Sequence, residues 1–224
     1  LRLKQAMLSI DSVEHGLMYL EEHELAFRRA EDEYHVDRYT IAAVIRIESD
    51  FGRNLGDYDV ISMLYSFYVT DDGRMKPKAA ERRLRALPAV SRIHKNERGL
   101  SLDMFTIKGS HRAAMGYGQF VSDTFIEQAR GTDADGDGNP SLFSPRDQIV
   151  IIAKYLVDRG WIPGNLNAQT KALQRYLGGG NKDWMYYSET IIPYAETLRY
   201  TLKKRLMPTS SPVVLMPVSL DTHD

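Results

Sequence analysis

Residues 40–52 (TIAAVIRIESDFG) narrow the fold of this chain more than any other stretch. Ile41, Val44, Ile45 and Glu48 fall at i, i+3, i+4 and i+7, which is one face of an α-helix. The first three are aliphatic and the fourth is an acid. The spacing predicts a helix packed into a core, with a carboxylate on its buried stripe. Desolvation penalises the charged form of such a group and raises its pKa. A carboxylic acid still protonated at neutral pH is what glycosidic bond cleavage needs as a general acid. A plainer reading stands beside this one. A Glu at the end of an apolar helix can turn to solvent or pair with Arg46 or Arg53, since ion pairs perturb carboxylates too.

The rest of the chain continues the helical pattern. Residues 12–34 carry Val13, Leu17, Leu20, Leu25 and Phe27 among many acids, which predicts one or two amphipathic helices. Asp37 is placed to cap the helix over residues 40–50, and Gly52 to end it in a left-handed conformation. The apolar run 60–69 (VISMLYSFYV) reads as a buried helix, and residues 78–96 as a basic amphipathic one. Ser122 or Asp123 is expected to cap a helix reaching about Arg130. Ser144 and Pro145 suit the cap and first position of a helix to Asp158. Residues 167–176 and 184–206 supply two more. Between them, Gly109, Gly116 and Gly118 argue for tight backbone over residues 108–120. The expected fold class is therefore all-α. From Met207 onward the periodicity is lost, and residues 207–224 are expected to form an extended or disordered tail.

Composition excludes several classes of function. The formal net charge of -1 gives no global electrostatic case for nucleic acid or an anionic membrane. The absence of cysteine excludes disulfides, thiolate metal sites and Cys nucleophiles. No run is apolar for long enough to span a bilayer. Leu1 is not an initiator methionine, so the chain reads as a mature or trimmed product. A signal peptide or lipid anchor upstream of Leu1 would leave no trace in it.

Residues 133–144 (DADGDGNPSLFS) have the spacing of a single EF-hand-like calcium loop. Asp133, Asp135 and Asp137 occupy its first, third and fifth positions, Gly138 the sixth, Asn139 the seventh and Ser141 the ninth. The glycine supplies the turn that lets the carboxylates converge. The twelfth position, where a bidentate Glu is expected, is Ser144, which weakens the site unless Asp147 reaches in. The alternative is an acidic turn that holds no metal. Other motifs are incomplete. His23 and Glu24 begin a zinc-protease pattern that lacks its second His, and Ser110 beside His111 lacks the serine-hydrolase elbow.

Taken together, these segments resemble a known family. Residues 45–56 (IRIESDFGRNLG) and 108–122 (KGSHRAAMGYGQFVS) resemble the catalytic segments of the membrane-bound lytic murein transglycosylase B family. That family follows its second segment with a short helix, an Asp-Gly-rich calcium-type loop and a helix ending in Gly-Trp. The same order holds here through Gly160 and Trp161. The resemblance implies a lysozyme-like, mostly helical domain over residues 1–206, with its catalytic core at about 30–206.

The resemblance also implies an activity: cleavage of the MurNAc–GlcNAc β-1,4 bond of peptidoglycan with formation of 1,6-anhydro-MurNAc. Glu48 would be the sole general acid and base. Ser110, Gln119, Tyr155, Tyr176 and Tyr117 would bind the sugar strand, and calcium would be structural, since the chemistry requires no cofactor. The implied partner is the glycan strand in the bacterial cell envelope, in the periplasm or held at the outer membrane by an upstream lipid anchor. Leu177 replaces the Asn that the wider superfamily carries after the tyrosine. Two alternatives stay open on residues alone. One is a lysozyme-type muramidase pairing Glu48 with Asp57 or Asp59. The other is a non-catalytic glycan- or calcium-binding module of the same fold.

Overall fold

The computed structural model describes residues 2–70, 73–94, 101–178 and 183–207. Helices dominate it: α1 (Arg2–Met7), α2 (Ile10–Glu22), α3 (Glu24–Tyr34), α4 (Arg38–Ser49), α5 (Val60–Thr70), α6 (Pro77–Ile93), α7 (Ser122–Gln128), α8 (Pro145–Asp158), α9 (Leu166–Tyr176) and α10 (Asp183–Leu206). Two short strands, β1 (Tyr58–Asp59) and β2 (Lys108–Gly109), pair antiparallel, with Tyr58 opposite Gly109. Their pairing sets the start of the second resembling segment beside the chain that follows the first. Among the residues of the expected tail, only Met207 lies within the described ones.

Helix α4 is the axis of the fold. Ile41, Ala42, Ala43, Val44 and Ile45 have no accessible surface, so apolar residues surround it on all sides. It packs against α10, α2, α8 and α3. Asp37 caps it as expected, accepting from the Thr40 amide at 3.0 Å and the Thr40 hydroxyl at 2.7 Å. Its other end departs from expectation. The left-handed turn begins at Asp50 (φ 52) rather than Gly52, and Phe51 (φ 56) and Gly52 (φ 85) follow in the same region. Asp tolerates this conformation, and the Arg46–Asp50 ion pair at 3.0 Å secures it. Phe51 is a costlier occupant. It is held there by ring contacts with Tyr19 at 4.7 Å and His15 at 4.8 Å.

Helix α7 also differs from expectation at its start. Its N-cap is Val121, and no side chain caps it. The Ser122 hydroxyl instead donates to the Arg83 carbonyl at 2.7 Å, so a tertiary bond has displaced the local one. Ser144 does cap α8, accepting from the Asp147 amide. Helix α10 carries Tyr187, Ile191, Tyr194 and Leu198 buried on one stripe at i, i+4, i+7 and i+11, and this stripe faces the core.

Candidate active site

The last turn of α4 delivers Glu48 to a cleft of about 720 Å³. As a residue Glu48 is partly exposed, but its carboxyl group is enclosed by protein. Burial pushes its pKa from the ordinary 4.5 up to about 7. One hydrogen bond opposes that shift: the Tyr187 hydroxyl donates to Glu48 Oε1 at 2.6 Å. The carboxyl is thus poised between its two protonation states near neutrality, as acid–base work demands.

Behind Glu48 stands a wall of aromatic rings. Tyr187 stacks on Tyr176 (6.1 Å, 15°), and Tyr155 meets Tyr176 edge-on at 5.0 Å. Phe120 closes on both Tyr155 and Tyr176. The Tyr176 hydroxyl donates to the Gly118 carbonyl at 2.8 Å, and the Tyr155 hydroxyl accepts from Arg159 Nη2 at 2.8 Å. Tyr155 and Tyr176 therefore line the cleft with hydroxyls already engaged by protein, and they shape its wall. Tyr187 carries no assigned role in the sequence reading. Its place on the buried stripe of α10 is the signal that points to it.

The loop between β2 and α7 forms another side. Ser110 Oγ accepts from the Ala114 amide at 3.2 Å, which closes a tight turn. Gln119 has φ 50, and its Nε2 donates to the Gly116 carbonyl at 3.0 Å and the Leu55 carbonyl at 3.3 Å. These two bonds fix the orientation of its side-chain amide. Ser110 and Gln119 line the same cleft as Glu48.

Tyr117 is not among the cleft-lining residues. Its ring lies over Gly52, where an added Cβ would come within 2.4 Å of it. Asp57 is exposed, and Asp59 pairs with Lys108 at 2.7 Å. Neither lines the cleft, and Glu48 is the sole carboxylate among its described lining residues.

The Asp-Gly loop brings Asp147 in beside two of its own carboxylates, as the sequence allows. Asp133, Asp135 and Asp147 bring carboxylate oxygens within 4.8 Å of one another. Asp137 and Asn139 are engaged with each other, the Asn139 amide donating to Asp137 Oδ1 at 2.7 Å. Ser141 Oγ accepts from the Phe143 amide at 3.1 Å. Asp147 supplies the carboxylate that Ser144 cannot, and Ser144 Oγ donates to Asp135 Oδ2 at 2.7 Å. Burial pushes the Asp147 pKa up to about 6 against bonds from the Ala134 and Ser141 amides, and the charges of Asp135 and Asp133 add to the rise. Clustered hard oxygen donors that disfavour each other's charge suit a calcium ion.

This loop is wired to the cleft. Gln148 accepts from the Gly118 amide at 3.0 Å and donates to the Ser141 carbonyl at 3.1 Å. Gly116 (φ 74) brings its backbone against Leu142, where a Cβ would lie 2.2 Å from the carbonyl oxygen. No side chain larger than hydrogen fits that approach.

Solved lytic transglycosylases share this helical fold. The lytic transglycosylase SLT35 of Escherichia coli, solved in complex with calcium, superposes with a TM-score of 0.76 at 19% identity, covering 89% of this chain and 78% of that one. The family model described as the transglycosylase SLT domain matches residues 3–185, and the chain belongs to that family. Membrane-bound lytic murein transglycosylase B of Escherichia coli (strain K12) is 29% identical over 165 residues. The match covers 74% of this chain and 43% of that relative, so the chain spans less than half of its length. SltB3 of Pseudomonas aeruginosa, solved in complex with NAG-NAM-pentapeptide, is 27% identical with a TM-score of 0.63, over 73% of this chain and 41% of that one.

Proposed function

We propose that residues 1–206 form the catalytic domain of a lytic transglycosylase that cleaves the MurNAc–GlcNAc bond of peptidoglycan in the bacterial envelope, with Glu48 as the only acid and base. The observation that carries this reading is Glu48 standing alone among the described cleft residues as a carboxylate, with its pKa pushed up to about 7. A two-carboxylate glycosidase needs a second acid at about 5–10 Å as nucleophile or base, and Asp57 and Asp59 do not line the cleft.

Protonated Glu48 gives its proton to the glycosidic oxygen as the bond to the muramoyl anomeric carbon breaks. The resulting carboxylate then takes the proton of the muramoyl 6-hydroxyl. That oxygen bonds to the anomeric carbon and closes the 1,6-anhydro ring. No water is consumed, and Glu48 ends in its starting state. The attacking hydroxyl belongs to the same sugar, so its effective concentration is high without a second protein group. Tyr187 orients the carboxyl through Oε1. Ser110 and Gln119 contact the sugar, and Tyr155 and Tyr176 form the wall against which it lies.

Calcium fits Asp133, Asp135 and Asp147, and its contribution when bound is to neutralise those charges. Gln148 and Leu142 then tie the settled loop to the backbone of residues 116–118. The name of the curated relative and the ligand of SltB3 support murein as the substrate. The test is clearance of purified murein sacculi by the wild type and by Glu48→Gln. The wild type is expected to clear them, and the variant to bind without clearing. A wild type that binds but never clears them would make the chain a non-catalytic module instead.

A further inference from the structure

Helices α5 and α6 pack side by side and turn a surface outward that the cleft does not use. Helix α5 holds no charged residue and is apolar on two faces. Val60, Leu64 and Phe67 are buried. Tyr65, Tyr68 and Val69, at i, i+3 and i+4, are 61%, 45% and 54% exposed. A helix apolar all round is ordinarily covered all round, yet this face stays open. Helix α6 buries Ala80, Leu87 and Val90. Its opposite side carries Lys78, Arg82, Arg85 and Arg92 at i, i+4, i+7 and i+14, all exposed. They form one basic stripe about 21 Å long. Arg82 pairs with Asp123 at 2.5 Å and Arg85 with Glu81 at 2.8 Å. Lys78 and Arg92 have no acid partner among the described residues. Tyr68 lies within electrostatic reach of Arg85, so the aromatic face and the basic stripe are one continuous surface.

Rings with a polar tip beside arginine and lysine suit the boundary of a bilayer. A tyrosine there sinks its ring toward the acyl chains and keeps its hydroxyl among the headgroups. Each basic side chain near an anionic surface strengthens binding by about fivefold. We infer that the outer face of the α5–α6 pair docks on a bilayer that carries anionic phospholipids. A neutral partner would cover the rings and leave the cations unmatched. A soluble polyanion would match the cations and leave the rings in water. An anionic bilayer answers both halves of the surface. The formal net charge of -1 hides this local excess, because acids elsewhere on the chain cancel it in the sum. Arg83, on another side of α6, lines the catalytic cleft. Docking therefore holds that cleft about one helix diameter, roughly 10–12 Å, from the membrane. Nothing in this inference depends on the reaction proposed for Glu48.

The test is co-sedimentation of the full chain with vesicles of phosphatidylcholine alone, or of phosphatidylcholine mixed with phosphatidylglycerol. Binding to the anionic vesicles should be at least about tenfold tighter, and added salt should weaken it. Lys78→Glu with Arg92→Glu removes most of that advantage. Tyr65→Ser with Tyr68→Ser weakens binding at every salt concentration. The control is Lys203→Glu with Lys204→Glu, in the basic last turn of α10, which binds as wild type does. Thermal melts show that each variant is folded. Tyr65→Trp gives a reading that needs no loss of binding: its added fluorescence over wild type shifts to the blue with anionic vesicles only. No preference for anionic vesicles, an equal loss in the α10 control, or a Tyr65→Trp signal that stays put overturns the inference. A preference that the α6 variant abolishes and the tyrosine variant leaves whole makes the partner a soluble polyanion, and overturns it too. Murein cleavage is not a readout here, so failure of the proposed reaction leaves the docking surface standing.

Discussion

The hydroxyl of Tyr187 on α10 donates a 2.6 Å hydrogen bond to Oε1 of Glu48 on α4, a bond between residues 139 positions apart in the chain. It stabilises the charged form of a carboxyl group that burial drives toward the neutral one. The acid of this site is therefore set by two opposed effects, with burial the larger.

Removing that bond should move the pH dependence in a known direction. In Tyr187→Phe the opposing hydrogen bond is gone, so the Glu48 pKa rises further above about 7. The alkaline limb of the murein-cleavage profile should shift upward by about half a unit to one unit. Maximal turnover should fall, because the carboxyl is no longer oriented. An unmoved alkaline limb would remove Tyr187 from the account.

Glu48→Gln should abolish cleavage, with a loss of at least about a hundredfold, and it should stabilise the fold at alkaline pH. The sign follows from linkage. The folded-state pKa is raised from 4.5 to about 7, so the folded protein binds more protons than the unfolded chain across that window. Stability is lost as pH rises through it, and Gln avoids the loss. Thermal melts should show the variant gaining a few degrees over wild type at pH 8 and little at pH 4. A variant that melts lower than wild type at pH 8 would contradict the buried-acid account.

Calcium should raise the melting temperature by mass action, and the gain should depend on Asp147. Asp147→Asn should abolish the shift, and Asp137→Ala should retain most of it. The Asp147 pKa is pushed up to about 6, so the calcium-induced shift should weaken as pH falls below that value, where protons compete for the carboxylate. A shift that survives Asp147→Asn would place the ion elsewhere.

The turn that ends α4 should be intolerant of a side chain. Gly52→Ala places a Cβ at φ 85 and within 2.4 Å of the Tyr117 ring. Denaturant unfolding should show a loss of about 1–3 kcal/mol. Adding Tyr117→Ala relieves the collision but not the backbone strain, so it should restore only part.

Much of this architecture is legible in the sequence, and the unreadable parts have physical reasons. The periodicity from Ile41 to Glu48 gives both the central helix and its buried acid, because both follow from local spacing. Asp37 and Ser144 are readable as caps for the same reason. The Asp-Gly loop is half legible. Asp133 and Asp135 converge as the motif predicts, and Asp147, in the first turn of α8, joins them as the sequence allows, beyond the end of the twelve-residue pattern. Tyr187 is hidden by distance, since only the packing of α10 on α4 brings it to Glu48. The β1–β2 pair is two residues per strand, too short for alternation to register.

The most direct test of the single-acid mechanism is mass analysis of muropeptides released from murein sacculi in water enriched in heavy oxygen. The account predicts products one water lighter than the reducing-end sugar, carrying no solvent oxygen. Reducing-end products that carry the heavy oxygen would contradict it, because they require water as nucleophile and a second group to activate it.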